Sequence, residues 1–397
     1  MGGEFMTRSN GIAGIGNAET ASTSDIAAMK GRMISLDAFR GITIAMMILV
    51  NNPGDPGNVY SLLSHAAWNG WTIADTVFPA FLFIVGVSIV FSLDKQIEKK
   101  VSTPALMARI LKRTVILFAL GIFVNILPRF DLSTLRIPGV LQRISVCYFF
   151  VCLIVLKSGL RGRILWLIGL LASYWLMMRF IPVPGIGAGV LEPGKNFAAW
   201  VDSHLLKGYM WSYYGGKWDP EGIVSTIPAI ATTLFGVLTA QWLKSSFSGG
   251  RKIAGMLLAG SLLMPAGLIL GHWLPINKSI WTSTFSMFMA GLAVVSLAFF
   301  YWFIDIAGFV RWSKPLAILG MNAITVYVLS IVYGYSLWTL ELETSAGEKI
   351  SCHSYLFRYF CTHLDPKVDS LLWAFWIVLS MYLVAWIMWR KRIFIKI

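Results

Sequence analysis

Runs of predominantly apolar residues recur along the chain at approximately 34–50, 73–92, 113–128, 138–156, 164–181, 222–243, 254–273, 279–304, 315–335 and 369–389. A spanning helix needs roughly 20 such residues to cross a hydrocarbon core about 30 Å thick. The pattern therefore predicts an all-α, polytopic membrane helix bundle of about 10 transmembrane helices. Between the spans the basic residues alternate from side to side. Lys95, Lys99, Lys100, Arg109 and Lys112 occupy the loop 93–112, with Arg113 directly after it. Lys157, Arg161 and Arg163 follow the fourth span; then come Lys244, Arg251 and Lys252, then Arg311 and Lys314, and last Arg390, Lys391, Arg392 and Lys396. Threaded in order, all of these fall on one side, which the positive-inside rule makes cytoplasmic, with both termini there. The opposite loops are 51–72, 129–137, 182–221, 274–278 and 336–368. Of these, 182–221 and 336–368 are long enough to fold over the outer mouth as lids. No inverted repeat of the secondary-transporter kind is visible.

Composition sharpens this picture. Of 397 residues, 57% are hydrophobic and 13% charged, which excludes an ordinary soluble domain. A net charge of +14 would point to nucleic acid in a soluble chain, but here the basic residues sit between spans and their first explanation is topology. The Gly/Ala/Ser/Thr-rich opening lacks the apolar core of a signal peptide. MGGEF reads as a vector scar with translation starting at Met6, so residues 1–30 are set apart as tag or disordered chain and 31–397 form one transmembrane domain. Cys147 and Cys152, inside the fourth span, read as small apolar residues. Cys352 and Cys361 lie in the last outer loop, where an oxidising compartment would allow a disulfide. With His353 and His363 beside them a zinc site is conceivable, yet the spacing matches no strong zinc pattern and no metal is expected.

Candidate chemistry concentrates between Val50 and Gly86, where Asn51, His65, Asn69 and Asp75 stand between two apolar spans beside Trp68 and Trp71. Ionised groups at the bilayer centre cost about 2.5–3.5 kcal/mol even on the lower scales, so something must offset them. Asn69 is four residues beyond His65, on the same face if that segment is helical. Asp75 opens the second span, where a helix N-terminus favours negative charge. The structural alternative makes Asp75 a cap and the Trp68–Trp71 turn an interfacial anchor. Likewise Trp200, Trp211, Tyr213, Tyr214 and Trp218 suit an aromatic belt, or stacking against a sugar.

Elsewhere, SLDAFRG places Asp37 and Arg40 three apart on one helical face, either as an ion pair with Ser35 as N-cap or with Arg40 as ligand for a cytoplasmic anion. LRIPGVLQRISVCY brings Arg136, Gln142 and Arg143; Pro138 suits a first helical turn. Arg143, one turn into the membrane, demands an anionic or carbonyl partner, either a phosphate or an acid such as Asp131. DPEGIVSTIPAI reads as a helix start with two acids in its first turn. PINKSIWT reads as a short outer turn, and Asn322 as helix–helix glue.

The ordered set SLDAFRG, VNNPG, HAAWNGWTIADTVFPAFLFIVG, RIPGVLQRI, DPEGIVSTIPAI, PINKSIWTSTF and GMNAI resembles the heparan-alpha-glucosaminide N-acetyltransferase family of transmembrane acyltransferases, with its bacterial NagX-like branch the nearest fit. The resemblance covers the chain from about residue 32 onward. It implies transfer of acetyl from cytosolic acetyl-CoA to the amine of a glucosamine-type sugar at the far face of the membrane, here the periplasmic face of the inner membrane, by a protein that is typically a homodimer. It aligns His65 with the family's active-site histidine, Asn51 with the asparagine after the first span and Asp75 with the ADTVFP aspartate. Arg40, Arg136, Gln142 and Arg143 are coenzyme-binding candidates on electrostatic grounds alone.

For thioester-to-amine transfer a base with pKa near 7 is useful, because the acceptor ammonium must lose a proton before it attacks. His65 is assigned as base, Asp75 as the carboxylate that orients it, and Asn51 or Asn69 as oxyanion donor. An acetyl-His65 intermediate competes with direct transfer. The rival readings are a sugar or amphiphile transporter and an O-acetyltransferase acting on a surface polysaccharide.

Overall fold

The apolar runs fold as helices, joined at one end by short turns and at the other by longer segments. The computed structural model describes residues 33–127, 135–344, 347–361 and 364–395. The set-apart N-terminal stretch, Asp131, His363 and Lys396 lie outside the described residues. In chain order the helices are α1 (Ile34–Asn51), α2 (Ile73–Glu98), α3 (Thr103–Ile126), α4 (Val140–Lys157), α5 (Leu160–Phe180), α6 (Phe197–Leu205), α7 (Ile223–Leu243), α8 (Gly249–Leu270), α9 (Ser283–Phe300), α10 (Val310–Met321), α11 (Ala323–Thr339), α12 (Cys352–Phe360) and α13 (Pro366–Arg390). A π-helical turn, Tyr301–Ile306, prolongs α9. Between α11 and α12 a hairpin pairs β1 (Glu341–Glu343) antiparallel with β2 (Lys349–Ser351), Leu342 opposite Ile350.

The protein is a polytopic helical membrane protein. Among the described residues α1, α2, α4, α5, α7, α8, α9 and α13 are long and apolar enough to cross a membrane, and α10 with α11 form a ninth candidate bent by 69°. The expected tenth span is α3, which has 24 residues. Arg109, Lys112 and Arg113 fall in its first half, so its composition is less apolar than that of the others. The span expected at 315–335 is broken at Asn322, between α10 and α11. Rather than joining two helices within the core, the Asn322 amide donates to Ile393 O and accepts from Ile395 N, both at 3.1 Å, tying the break to the chain after α13.

Further local readings change. The 93–112 loop shrinks to 99–102, because α2 continues to Glu98 and α3 begins at Thr103. The residue flanking α1 is Met33 and no side chain caps that helix, so Ser35 lies inside the first turn. Gly139 flanks the start of α4, leaving Pro138 ahead of the helix. Gly222 flanks the start of α7, leaving Asp219 and Glu221 outside the helix, free to serve other partners.

Close crossings hold the bundle. A Cβ on Gly86 of α2 would lie 1.9 Å from Thr233 O of α7, and one on Gly236 of α7 would lie 2.0 Å from Phe83 O of α2. Only hydrogen fits at these reciprocal contacts, and small residues are what let membrane helices approach so closely. Ile44, Leu82, Phe83, Leu234 and Phe285 pack around them, essentially without exposed surface. The crossing brings the starts of α2, α4 and α7 and the end of α1 together, so Asn51, Asp75, Val140 and Glu221 line one cavity. The start of α7 is further fixed by Asp202 of α6, a buried carboxylate that accepts Ile223 N at 2.9 Å. Burial pushes that carboxyl up to about 7, against the pull of the Ile223 hydrogen bond.

Two outcomes follow for the solubilised protein. Gly86→Ala lowers stability by about 1–3 kcal/mol through overpacking against backbone, while Gly169→Ala, where a Cβ meets nothing within 4 Å, stays near neutral; thermal unfolding in detergent reads both. Because Asp202 binds its proton more tightly folded than unfolded, its stabilising contribution is present below the ordinary carboxylate value of 3.8 and is lost as pH rises through about 7. Asp202→Asn therefore flattens the fall in unfolding temperature between those pH values.

Candidate active site

The centre is built on the N-terminus of α2. Thr72 and Asp75 form a capping box. Asp75 Oδ2 accepts Thr72 N at 3.0 Å and Ala66 N at 3.1 Å, which also fixes the approach of the preceding segment. Asp75 Oδ1 is left to receive His65 Nδ1 at 2.8 Å and Lys278 Nζ at 3.3 Å. The cap and the partner of His65 are thus one carboxylate, with 1% of its side chain exposed against 52% for His65. With Nδ1–H given to Asp75, the lone pair of the imidazole sits on Nε2, and the tautomer follows from the partner.

Lys278 Nζ lies 2.9 Å from His65 Nδ1 and 3.2 Å from Nε2, so the ammonium stands against the imidazole and beside the carboxylate that orients it. Burial moves Lys278 below the ordinary lysine range, opposed by the nearby Asp75 and Glu221 charges. The turn that carries it is anchored at Gly70 N to Ile276 O, 2.8 Å, and at Asn277 Nδ2 to Asn69 Oδ1, 3.2 Å. Asn69 is thereby a support for the Lys278 turn. The 60–72 segment forms turns rather than a helix, so Asn69 does not share a face with His65, and it does not line the cavity.

Opposite stands Arg136, bidentate on Asp219 with Nε to Oδ2 at 2.8 Å and Nη2 to Oδ1 at 2.6 Å. It also donates to Glu221 and lies 4.6 Å over the Trp211 ring. Burial works against its charge, but Glu221 and Asp219 more than reverse this and raise it above the usual guanidinium range. His65, Asp75, Lys278, Asn51, Arg136 and Glu221 line a cavity of about 240 Å³. Trp211, Tyr214 and Trp218 complete its wall, with Tyr214 and Trp218 stacked at 4.0 Å. These three aromatics belong to the site rather than to a membrane belt. Asn51 lines the same cavity.

The four coenzyme candidates separate. Gln142 and Arg143 line a groove of about 700 Å³ along α4, which runs from Ile137 and Glu221 at one end to Lys157 at the other. Arg143 lies 5.0 Å from the Trp281 ring and donates to Ser225 and to Gly222 O. Arg136 belongs to the His65 cavity. Arg40 is away from all of them, in the opposite part of α1, where it meets Asp37 at 2.8 Å and Ser88 at 2.7 Å. The Asp37 contact is the ion pair that the three-residue spacing offered as one of two readings.

No group of His, Cys, Asp and Glu fit for a metal ion occurs among the described residues. Cys352 and Cys361 bracket α12, about 13 Å apart at the helical rise, beyond the reach of a disulfide.

A family model described as heparan-alpha-glucosaminide N-acetyltransferase, catalytic, matches residues 32–276. The chain belongs to that family. The human heparan-alpha-glucosaminide N-acetyltransferase is 30% identical over 95% of this chain and 61% of its own length, and the mouse protein 28% identical over 92% and 60%. The chain thus spans about three-fifths of the length of these curated relatives. The stretch matched to the heparan-alpha-glucosaminide N-acetyltransferase model takes in Asn51, His65, Asp75 and Arg136 and ends two residues before Lys278. Lys278 was missed in the sequence because a short polar turn explains a lone lysine equally well. The available signal was a cation in an outer loop otherwise poor in them.

Proposed function

We propose that this protein is a membrane N-acetyltransferase of the heparan-alpha-glucosaminide type, which takes acetyl from cytosolic acetyl-CoA and places it on the amine of a glucosamine-type sugar at the periplasmic face of the inner membrane. The observation that carries the reading is the half-exposed His65 imidazole, oriented by a buried carboxylate on the wall of a polar cavity at the end of the bundle. Family membership supports the reaction class.

In this reading His65 Nε2 removes a proton from the acceptor amine as its nitrogen attacks the thioester carbonyl. The C–N bond forms and the carbonyl π pair moves to oxygen. Asn51 and the Lys278 ammonium are the donors available to that oxyanion, a role in which preorganised groups contribute roughly 3–4 kcal/mol to the barrier. The intermediate collapses, the C–S bond breaks, and the proton held by His65 passes to the departing thiolate. Asp75 stabilises the imidazolium between these two events without itself changing protonation state.

The donor's route in this proposal is the groove along α4. Its Lys157 end carries a charge suited to a phosphate, and its walls, including Phe150 and Leu153, are mainly apolar. A thin pantetheine-like arm would lie along them, so that the thioester alone approaches the outer end. Asn69 has no role in the reaction as proposed.

Reconstituted protein supplied with labelled acetyl-CoA and glucosamine should yield N-acetylglucosamine. His65→Ala should lower the rate about 10²–10⁴-fold, the usual contribution of a positioned base, while coenzyme A still raises the unfolding temperature. Turnover near the wild-type rate in His65→Ala would sink the assignment, and movement of sugar without consumption of acetyl-CoA would make the protein a transporter.

A further inference from the structure

A second, larger cavity adjoins the first. It measures about 480 Å³, within the range of small-molecule sites, and shares Asn51, Arg136, Val140 and Trp211 with the wall of the His65 cavity. Its far side is formed by α11, α12 and α13. There His353 is only 3% exposed, yet neither ring nitrogen has a hydrogen-bond partner among the described residues. The imidazole stacks on Trp338, ring centroids 3.8 Å apart at 14°, and meets Trp373 edge-on at 4.6 Å and 69°. Across the cavity Gln142 is 4% exposed and its Nε2 is also unpartnered. Buried polar groups without partners are rare in folded proteins because each forfeits its hydration, so two facing one cavity mark a place for a ligand.

The chemistry of the lining selects the ligand. Among the described residues of the lining Arg136 is the one lysine or arginine side chain, and its guanidinium is already taken by Asp219 and Glu221, so none of them offers an unengaged cation to a phosphate. Flat indole faces next to an imidazole and a carboxamide suit a neutral ring with one apolar face and a rim of hydroxyls.

We propose that this cavity is the acceptor chamber: a hexosamine ring lies against the Trp338–His353–Trp373 cluster, its hydroxyls meet His353 and Gln142, and its amine points past Asn51 toward His65. The inference rests on the acetyltransferase reading for the amine's fate, but not for the binding itself.

The test uses the full chain in detergent without acetyl-CoA. Isothermal titration with glucosamine should give saturable binding, and His353→Phe should weaken it at least tenfold. Photolabelling of the wild-type protein with a diazirine-bearing glucosamine tests the location without any substitution; adducts should map to α11, α12 and the start of α13. The proposal is overturned by an absence of saturable binding, by wild-type affinity in His353→Phe, by adducts confined elsewhere, or by competitive displacement of glucosamine by coenzyme A, which would give the chamber to the donor. A chain that binds the sugar here yet transfers no acetyl keeps this inference and loses the proposed reaction. A chain that acetylates glucosamine with unchanged KM in His353→Phe loses only this inference.

Discussion

Everything at the outer end depends on how one buried carboxylate is satisfied. Asp75 is almost without solvent, and an ionised group in that position persists only if its lone pairs are filled. Oδ2 is filled by the backbone it caps, through Thr72 N and Ala66 N, and Oδ1 by His65 and Lys278. The same group therefore starts α2, pins the preceding loop and aims the imidazole. Helix start and reactive geometry cannot drift apart, because the oxygen atoms of one planar group enforce both.

Charge around the His65 cavity also closes on itself. Asp75, Asp219 and Glu221 contribute three negative charges; Arg136 and Lys278 contribute two positive ones, and Arg143, whose charge acts on Glu221 and Lys278 alike, a third. Each charge in this cluster of described residues is thus met by an opposite one within the protein, which is what lets so many ionisable groups stand together out of water.

Periodicity revealed the architecture because each span is a long apolar run, and His65, Asp75 and Asn51 stood out as polar groups beside lipid. The errors have physical causes. Of the ten expected spans α3 is the least apolar, since Arg109, Lys112 and Arg113 precede its apolar half. Asn69 was misplaced by assuming helical spacing in a segment of turns. Lys278, Asp219 and Glu221 each had a sufficient local explanation as turn or helix start, and only the long-range contacts made by folding reveal their partners. Arg40 was half legible: its ion pair with Asp37 followed from the spacing, whereas its contacts with Ser88 and Gly320 come from distant parts of the chain.

The first turn of α4 ties the compartments together. Successive residues on an α-helix project about 100° apart, so adjacent positions can face different spaces. Val140 stands on the edge between the His65 cavity and the larger chamber, Leu141 faces the chamber and Arg143 the long groove, with Gln142 on the edge between chamber and groove. A helix entering the membrane at Gly139 thus stands where three openings meet, and donor and acceptor routes separated by its thickness would converge on the imidazole at its tip. The small residues around it, Gly121 and Gly139, are what let the Gln142 side chain fit there: a Cβ on either would lie within 2.6 Å of Gln142 Oε1.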